Sequence, residues 1–210
     1  MTDARTEVLA RIRSALGADA QQAETSVARE YRLFGEYAPG SAALADLLEE
    51  RLLDYRAAVR RTTPEQLADT LREVLDRVAP RGLLVVPGDL PPEWTGGREV
   101  LRDQGATSAE ELDQVSAVVT GCALAVAETG TIVLDAGALQ GRRALTLVPD
   151  VHVCVVRLDQ VVQTVPEAVR RLDARRPQTW VSGPSATSDI ELERVEGVHG
   201  PRTLVVVLVC

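Results

Sequence analysis

Lysine is missing from this chain: every one of its 23 basic side chains is arginine. Without lysine there is no Schiff-base chemistry on an ε-amine and no phosphate-binding lysine of the Walker type. Aromatic residues make up only 3% of the 210 residues, so the core has to come from Leu, Val, Ala and Ile, which suits an α/β protein. Three cysteines, Cys122, Cys154 and Cys210, are too few and too scattered for a disulfide framework or for the paired spacing that holds zinc or an iron–sulfur cluster. They predict a reduced, cytoplasmic setting with Cys122 and Cys154 as small buried residues. No window nears the roughly 20 consecutive apolar residues of a membrane span, and the charged, amphipathic start "MTDARTEVLARIRSALG" does not read as a secretory signal. The formal charge of −8 argues against nucleic acid and anionic membranes as partners.

The patterning that is present divides the chain. Val8, Leu9, Ile12 and Leu16 share a helical face ahead of Gly17, and Leu44, Leu47, Leu48, Leu52, Tyr55 and Val59 mark a second helix. "TPEQ" at Thr63 to Gln66 predicts the capped start of a third, carrying Leu67, Leu71, Val74, Leu75 and Val78. After Pro80 the period changes. "LLVVP", "SAVVT", "ALAVA", "TIVLD", "LTLVP", "VHVCVV", "TWVSG" and "TLVVVLV" read as strands, several apolar on both faces, with a capped helix "TVPEAVRRL" among them. We therefore expect an N-terminal helical segment, 1–62, followed by an α/β domain, 63–210, built on a largely parallel sheet covered on both faces.

Two segments and one further residue could carry chemistry. In "TGCALAVAETGTIVLDAG", Thr120 to Gly137, the turn at Glu128, Thr129, Gly130 and Thr131 puts a carboxylate at the end of an apolar strand, either as a solvated turn residue or as a group tuned by partial burial. In "SGPSATSDIELERVEGVHGP", Ser182 to Pro201, the hydroxyls of Ser182, Ser185 and Thr187 stand beside Gly183 and Asp189. "ATSDIELE" there can begin a short helix, which gives the make-up of an anion pocket or of a structural cap. His199, between Gly197 and Gly200, is the candidate proton acceptor, with loop support as the alternative. His152 and Asp150 alternate on one strand face, a weak metal pattern, and no metal ligand set is assigned. Arg142, Arg143, Arg170 and Arg171 are read as solvated surface charges.

"AVAETGTIVL" together with "SGPSATSDIELERVEGVHGPRTLVVVLV", supported by "RLLDYRAAVRR" and "VPDVHVCVV", resembles the LUD domain of the lactate utilization protein C family (LutC/YkgG) over essentially the whole chain. The resemblance implies a three-layer α/β/α fold related to the glucosamine-phosphate deaminase, ribose-phosphate isomerase and CoA-transferase group. It also implies a cytoplasmic role in oxidising L-lactate to pyruvate beside two iron–sulfur proteins. In related CoA transferases a glutamate in a similar turn carries the acyl group, and Glu128 is the matching position by analogy of fold. No cofactor has a visible home in this chain, so electron transfer would fall to the partners' clusters. This chain would then supply substrate binding or another non-redox role, with His199 taking the hydroxyl proton and the Ser182 to Thr187 loop holding a small carboxylate or phosphorylated ligand. Two alternatives remain at this level: an autonomous enzyme on a phosphorylated or CoA-linked molecule with Glu128 as base or nucleophile, and a non-catalytic assembly subunit. Homo-oligomerisation is compatible with either.

Overall fold

The computed structural model describes residues 3–16, 30–187, 195–196 and 200–210. In chain order the elements are α1 (Ala4–Leu16), α2 (Ala42–Asp54), β1 (Ala58–Thr62), α3 (Leu67–Val78), β2 (Leu84–Pro87), β3 (Val100–Asp103), α4 (Ala109–Asp113), β4 (Ala117–Thr120), β5 (Leu124–Val126), β6 (Thr131–Leu134), β7 (Val151–Arg157), β8 (Val161–Val162), α5 (Val165–Arg171), β9 (Thr179–Ser182), β10 (Ala186–Thr187), β11 (Val195–Glu196) and β12 (Thr203–Val209). The chain groups into two units, Met1–Tyr31 and Arg32–Cys210. In the first, α1 carries Val8, Leu9, Ile12 and Leu16 at the predicted helical spacing.

The main sheet of the second unit has six strands in the order β1-β12-β7-β4-β2-β3, and every pairing is parallel. The sequence of β12 shows why it is central. Leu204, Val206 and Leu208 enter one core with Leu48 and Leu52 of α2, while Val205, Val207 and Val209 enter another with Leu71 and Leu75 of α3. A strand apolar at every position needs cover on both faces, and the helices supply it, giving the expected α/β/α layering. On the α2 side, α4 adds Leu112 against Val85 and Val118. A smaller sheet, β8-β5-β6-β9, packs on that side through Ala125, Ile132 and Val161. Among the described residues no helix is long and apolar enough to cross a membrane.

Local rules explain most boundaries. Thr164 and Glu167 close the predicted capping box of α5, with Thr164 N–H donating to Glu167 Oε2 at 2.7 Å. Ser108 and Glu111 do the same for α4. Four readings differ. "LTLVP" is not a strand: Arg143–Thr146 forms a single 3-10 turn, and Leu145 packs beside Leu112 of α4 instead of entering a ladder. The sheet begins before Pro80: Val59 belongs not to α2 but to β1, an edge strand paired in register with β12. α2 stops at Asp54 because Arg56 takes a left-handed backbone, φ 65°, which ends the helical hydrogen-bond ladder. "TPEQ" forms a turn instead of the first helical turn, Gln66 N–H donating to Thr63 O, and α3 starts at Leu67 without a side-chain cap. Ala186 and Thr187, expected at a helix start, are extended and pair antiparallel with Val195–Glu196. The rest of the predicted short helix lies outside the described residues.

Candidate functional site

The turn that carries Glu128 is held by its neighbours. Ala127 N–H donates to Val162 O at 2.8 Å and Glu128 N–H to Gln163 O at 3.1 Å, which extends the β5–β8 pairing past the strand end. Gly130 turns the chain into β6 at φ +56°, and a side chain there would strike the backbone of Arg51 at 2.9 Å. From the turn, hydroxyls lead to the second candidate segment. Thr129 Oγ1 lies 2.7 Å from Thr131 Oγ1, which lies 2.8 Å from Ser182 Oγ. Thr131 and Ser182 are register partners of the antiparallel β6–β9 pair, so the two segments picked from the sequence are neighbours in space.

The Glu128 carboxylate itself is engaged elsewhere. Arg32 Nη2 donates to its two oxygens at 2.6 and 2.5 Å, and Gln163 Nε2 to Oε1 at 3.0 Å. Gln163 is buried, and its Oε1 accepts from Tyr37 N–H at 2.8 Å. Residues 32–40 thus form a strap tied to Glu128 and Gln163, with the Arg170 guanidinium 4.7 Å over the Phe34 ring.

Beyond Ser182 the chain opens on a hollow of about 210 Å³ at the amino ends of β7 and β12. Ser182, Gly183 and Ser185 line it from the end of β9, His152 and Leu204 from the strand starts, and Arg143 from the β6–β7 connection. Ser185 N–H donates to Pro201 O at 2.8 Å, which pins the loop to the entry of β12. Gly183 has φ +79°, and a Cβ on it would lie 2.6 Å from that of Tyr55. Only glycine lets this loop lie on the end of α2. His152 is buried, its Nε2 2.8 Å from Thr120 Oγ1. Arg143 Nη1 donates to Thr146 O at 2.7 Å, and burial pulls the guanidinium below the usual arginine range, a sign of a partly dry site. Glu128 is not among the residues lining this hollow. The hydroxyl segment and the acid are therefore adjacent through Thr131, without sharing the cavity. For Thr187 only the backbone is described, and Asp189 and His199 lie outside the described residues.

A family model, the LUD domain, matches residues 6–209. The chain belongs to the LUD domain family. It is 50% identical over 179 residues to lactate utilization protein C of Deinococcus radiodurans, covering 81% of this chain and 83% of that one. It is 25% identical to lactate utilization protein C of Bacillus subtilis, covering 96% and 94%. A crystal structure of a DUF162 family protein from Deinococcus radiodurans superposes with a TM-score of 0.68 at 43% identity, over 80% of this chain and 98% of that one.

In this LUD domain two members of the hollow read otherwise from sequence alone, His152 as half of a weak metal pattern and Arg143 as a solvated surface charge. His152 sits in an apolar strand where only an unpaired polar group would stand out, and its buried partner, Thr120, comes from another strand. The arginine pairs are not all solvated either. Arg142 makes a two-pronged bond to the buried Asp103, Nε to Oδ2 at 3.0 Å and Nη2 to Oδ1 at 3.1 Å. The Arg142 partnership holds the Asp103 carboxyl below its usual range despite burial. Cys122 and Cys154 are buried as expected, and their contact pushes the Cys122 thiol up while, with His152 and Thr120, it pulls the Cys154 thiol down.

Proposed function

We propose that this chain is a cytoplasmic component of a lactate utilization system that binds the small hydroxy acid, or its keto-acid product, while two iron–sulfur partner proteins carry the electrons. The observation that carries the reading is the hollow at the amino edge, where two serine hydroxyls, a buried imidazole and a partly buried guanidinium converge. Its volume is below the roughly 300 Å³ of drug-sized pockets and is in scale with a three-carbon acid. The names of the relatives, lactate utilization protein C, support the pathway.

A carboxylate is held by hydroxyl and guanidinium donors, which Ser182, Ser185 and Arg143 provide. Oxidising the hydroxyl carbon then releases two electrons and two protons. The electrons pass to the partner clusters, since this chain offers neither cluster cysteines nor a dinucleotide fingerprint, and no cofactor is assigned to it. His199, adjacent in sequence to the lining residue Gly200, takes the hydroxyl proton, and the carbon-bound proton leaves with the electron pair to the partner proteins. Exposed Leu33, Phe34 and Tyr37 on the strap offer the apolar and aromatic surface that protein partners use.

The test is lactate-dependent electron transfer in the complex reconstituted with both iron–sulfur proteins. His199→Ala abolishes it and Ser182→Ala weakens lactate affinity; unchanged turnover in both variants sinks the reading. A Glu128-centred acyl transfer has less support, because Arg32 and Gln163 already occupy that carboxylate. Incubation with acyl-CoA should accordingly leave no thioester on Glu128.

A further inference from the structure

At the opposite edge of the same sheet, a cavity of about 320 Å³ opens over the carboxyl ends of β4 and β7. It lies beside the point where the strand connections diverge. β2 connects outward to β3, whereas β4 leads the other way to β7 and β12, so the connections diverge between β2 and β4. In open α/β sheets the crevice beyond the carboxyl ends at such a divergence is where ligands bind. Trp94 enters it from the chain after β2.

The charge of the wall sets the ligand class. Arg157, Arg171 and Arg176 line the cavity against one acid, Asp135, so a chain of net charge −8 presents a locally cationic concavity. Asp135 is nearly buried and fully engaged: it accepts from Gln140 Nε2 at 2.9 Å, from Gly137 N–H at 3.0 Å and from Arg176 Nη1 at 2.8 Å. Burial alone would raise its carboxyl, but these three donors outweigh it and hold the group ionised, which fixes Arg176 in place. Arg157 is paired with Asp159 at 3.1 Å across an exposed ion pair, an interaction weak enough for a ligand to displace. Arg171 donates to Asp159 O at 3.2 Å and pairs with no carboxylate among the described residues.

We propose that this cavity binds a small dianion, a phosphate ester or a dicarboxylate, through Arg171, Arg176 and Arg157, with Trp94 contacting its organic part. Planar guanidinium forks match the paired oxygens of either group; Asp135 holds Arg176 and Asp159 holds Arg157 weakly, so Arg171 supplies the uncompensated charge.

The two sources of that chemistry are separated by probe. The full chain is titrated calorimetrically with pyrophosphate and with malonate at low and high salt. Saturable binding of one of them, weaker at high salt, weakened about tenfold or more by Arg171→Ala and unaffected by Arg60→Ala on the edge strand β1, supports the site and names the source. Arg171→Lys, which keeps the charge and loses the fork, should fall between the two and guards against misfolding of the alanine variant. Absence of saturable binding by both probes, or an equal loss in Arg60→Ala, overturns the proposal. Since the lactate reading rests on the opposite edge, either can fail without the other.

Discussion

At the amino ends of β7 and β12 the sheet meets hydroxyls, one buried imidazole and a partly buried guanidinium, whereas at the carboxyl ends of β4 and β7 it meets three arginines around one aspartate. The same strands run between them, so the difference comes from what is attached at each end. The amino edge is completed by the small sheet, through the β6–β9 pairing that places Ser182 beside Thr131. The carboxyl edge draws on the β6–β7 connection, on the end of β7 and on the end of α5. A single aliphatic platform thus carries one hydroxyl-rich hollow with a single guanidinium and one hollow with three. They can be broken separately.

The shared platform should give the largest effect. Replacing Leu208, fully buried in β12 under α2, by alanine costs about 2–5 kcal/mol of stability, read from denaturant unfolding, and both ends should fail in one transition. Loss at only one end would show that the two edges unfold independently. Gly183→Ala acts on the amino edge alone. Its left-handed backbone and the nearby Tyr55 side chain predict a cost of about 1–3 kcal/mol and weaker lactate binding, with dianion binding intact.

Asp135→Asn acts on the carboxyl edge alone, costing about 1–2 kcal/mol at neutral pH, discounted because Arg176 is half exposed. The folded carboxyl lies below its ordinary value of 3.8, so its contribution is fully present above that value and is lost as pH falls through the lower folded one. The gap between the native chain and the variant should therefore be flat near neutrality and close below pH 3.8 in unfolding midpoints measured from pH 7 to pH 2. A gap that widens in acid would refute the assignment. Ser182→Ala is the mildest, at about 0.5–1 kcal/mol for the lost Thr131 bond, and its effect should show in lactate affinity rather than in melting.

The fold was legible wherever burial is two-sided. β2, β4, β7 and β12 are apolar at nearly every position because helices cover both faces, and such runs announce themselves. β1 did not, because an edge strand reading "AVRRT", with Arg60 and Arg61 turned to solvent, lacks that density and Val59 continues the period of α2. Of the candidate site, the hydroxyl segment and the Glu128 turn were visible as local motifs, and their adjacency holds through the β6–β9 register. Arg143 and His152 were not singled out as partners of Ser182, since nothing in one dimension brings 143, 152 and 182 together. The same is true of the carboxyl edge, where Asp135, Arg157, Arg171 and Arg176 come from four separate stretches and each looks like an ordinary surface charge. The arginine pairs misled for a related reason: the acid held by Arg142 lies 39 residues away.

The strap over Glu128 sets a threshold on what that acid can ever do. Any incoming group has to win the carboxylate from a guanidinium and an amide, so access is governed by how often residues 32–40 lift away. Each 1.4 kcal/mol in that opening equilibrium lowers the accessible fraction about tenfold. Whatever docks on the strap's aromatic side would thereby also regulate the acid underneath it.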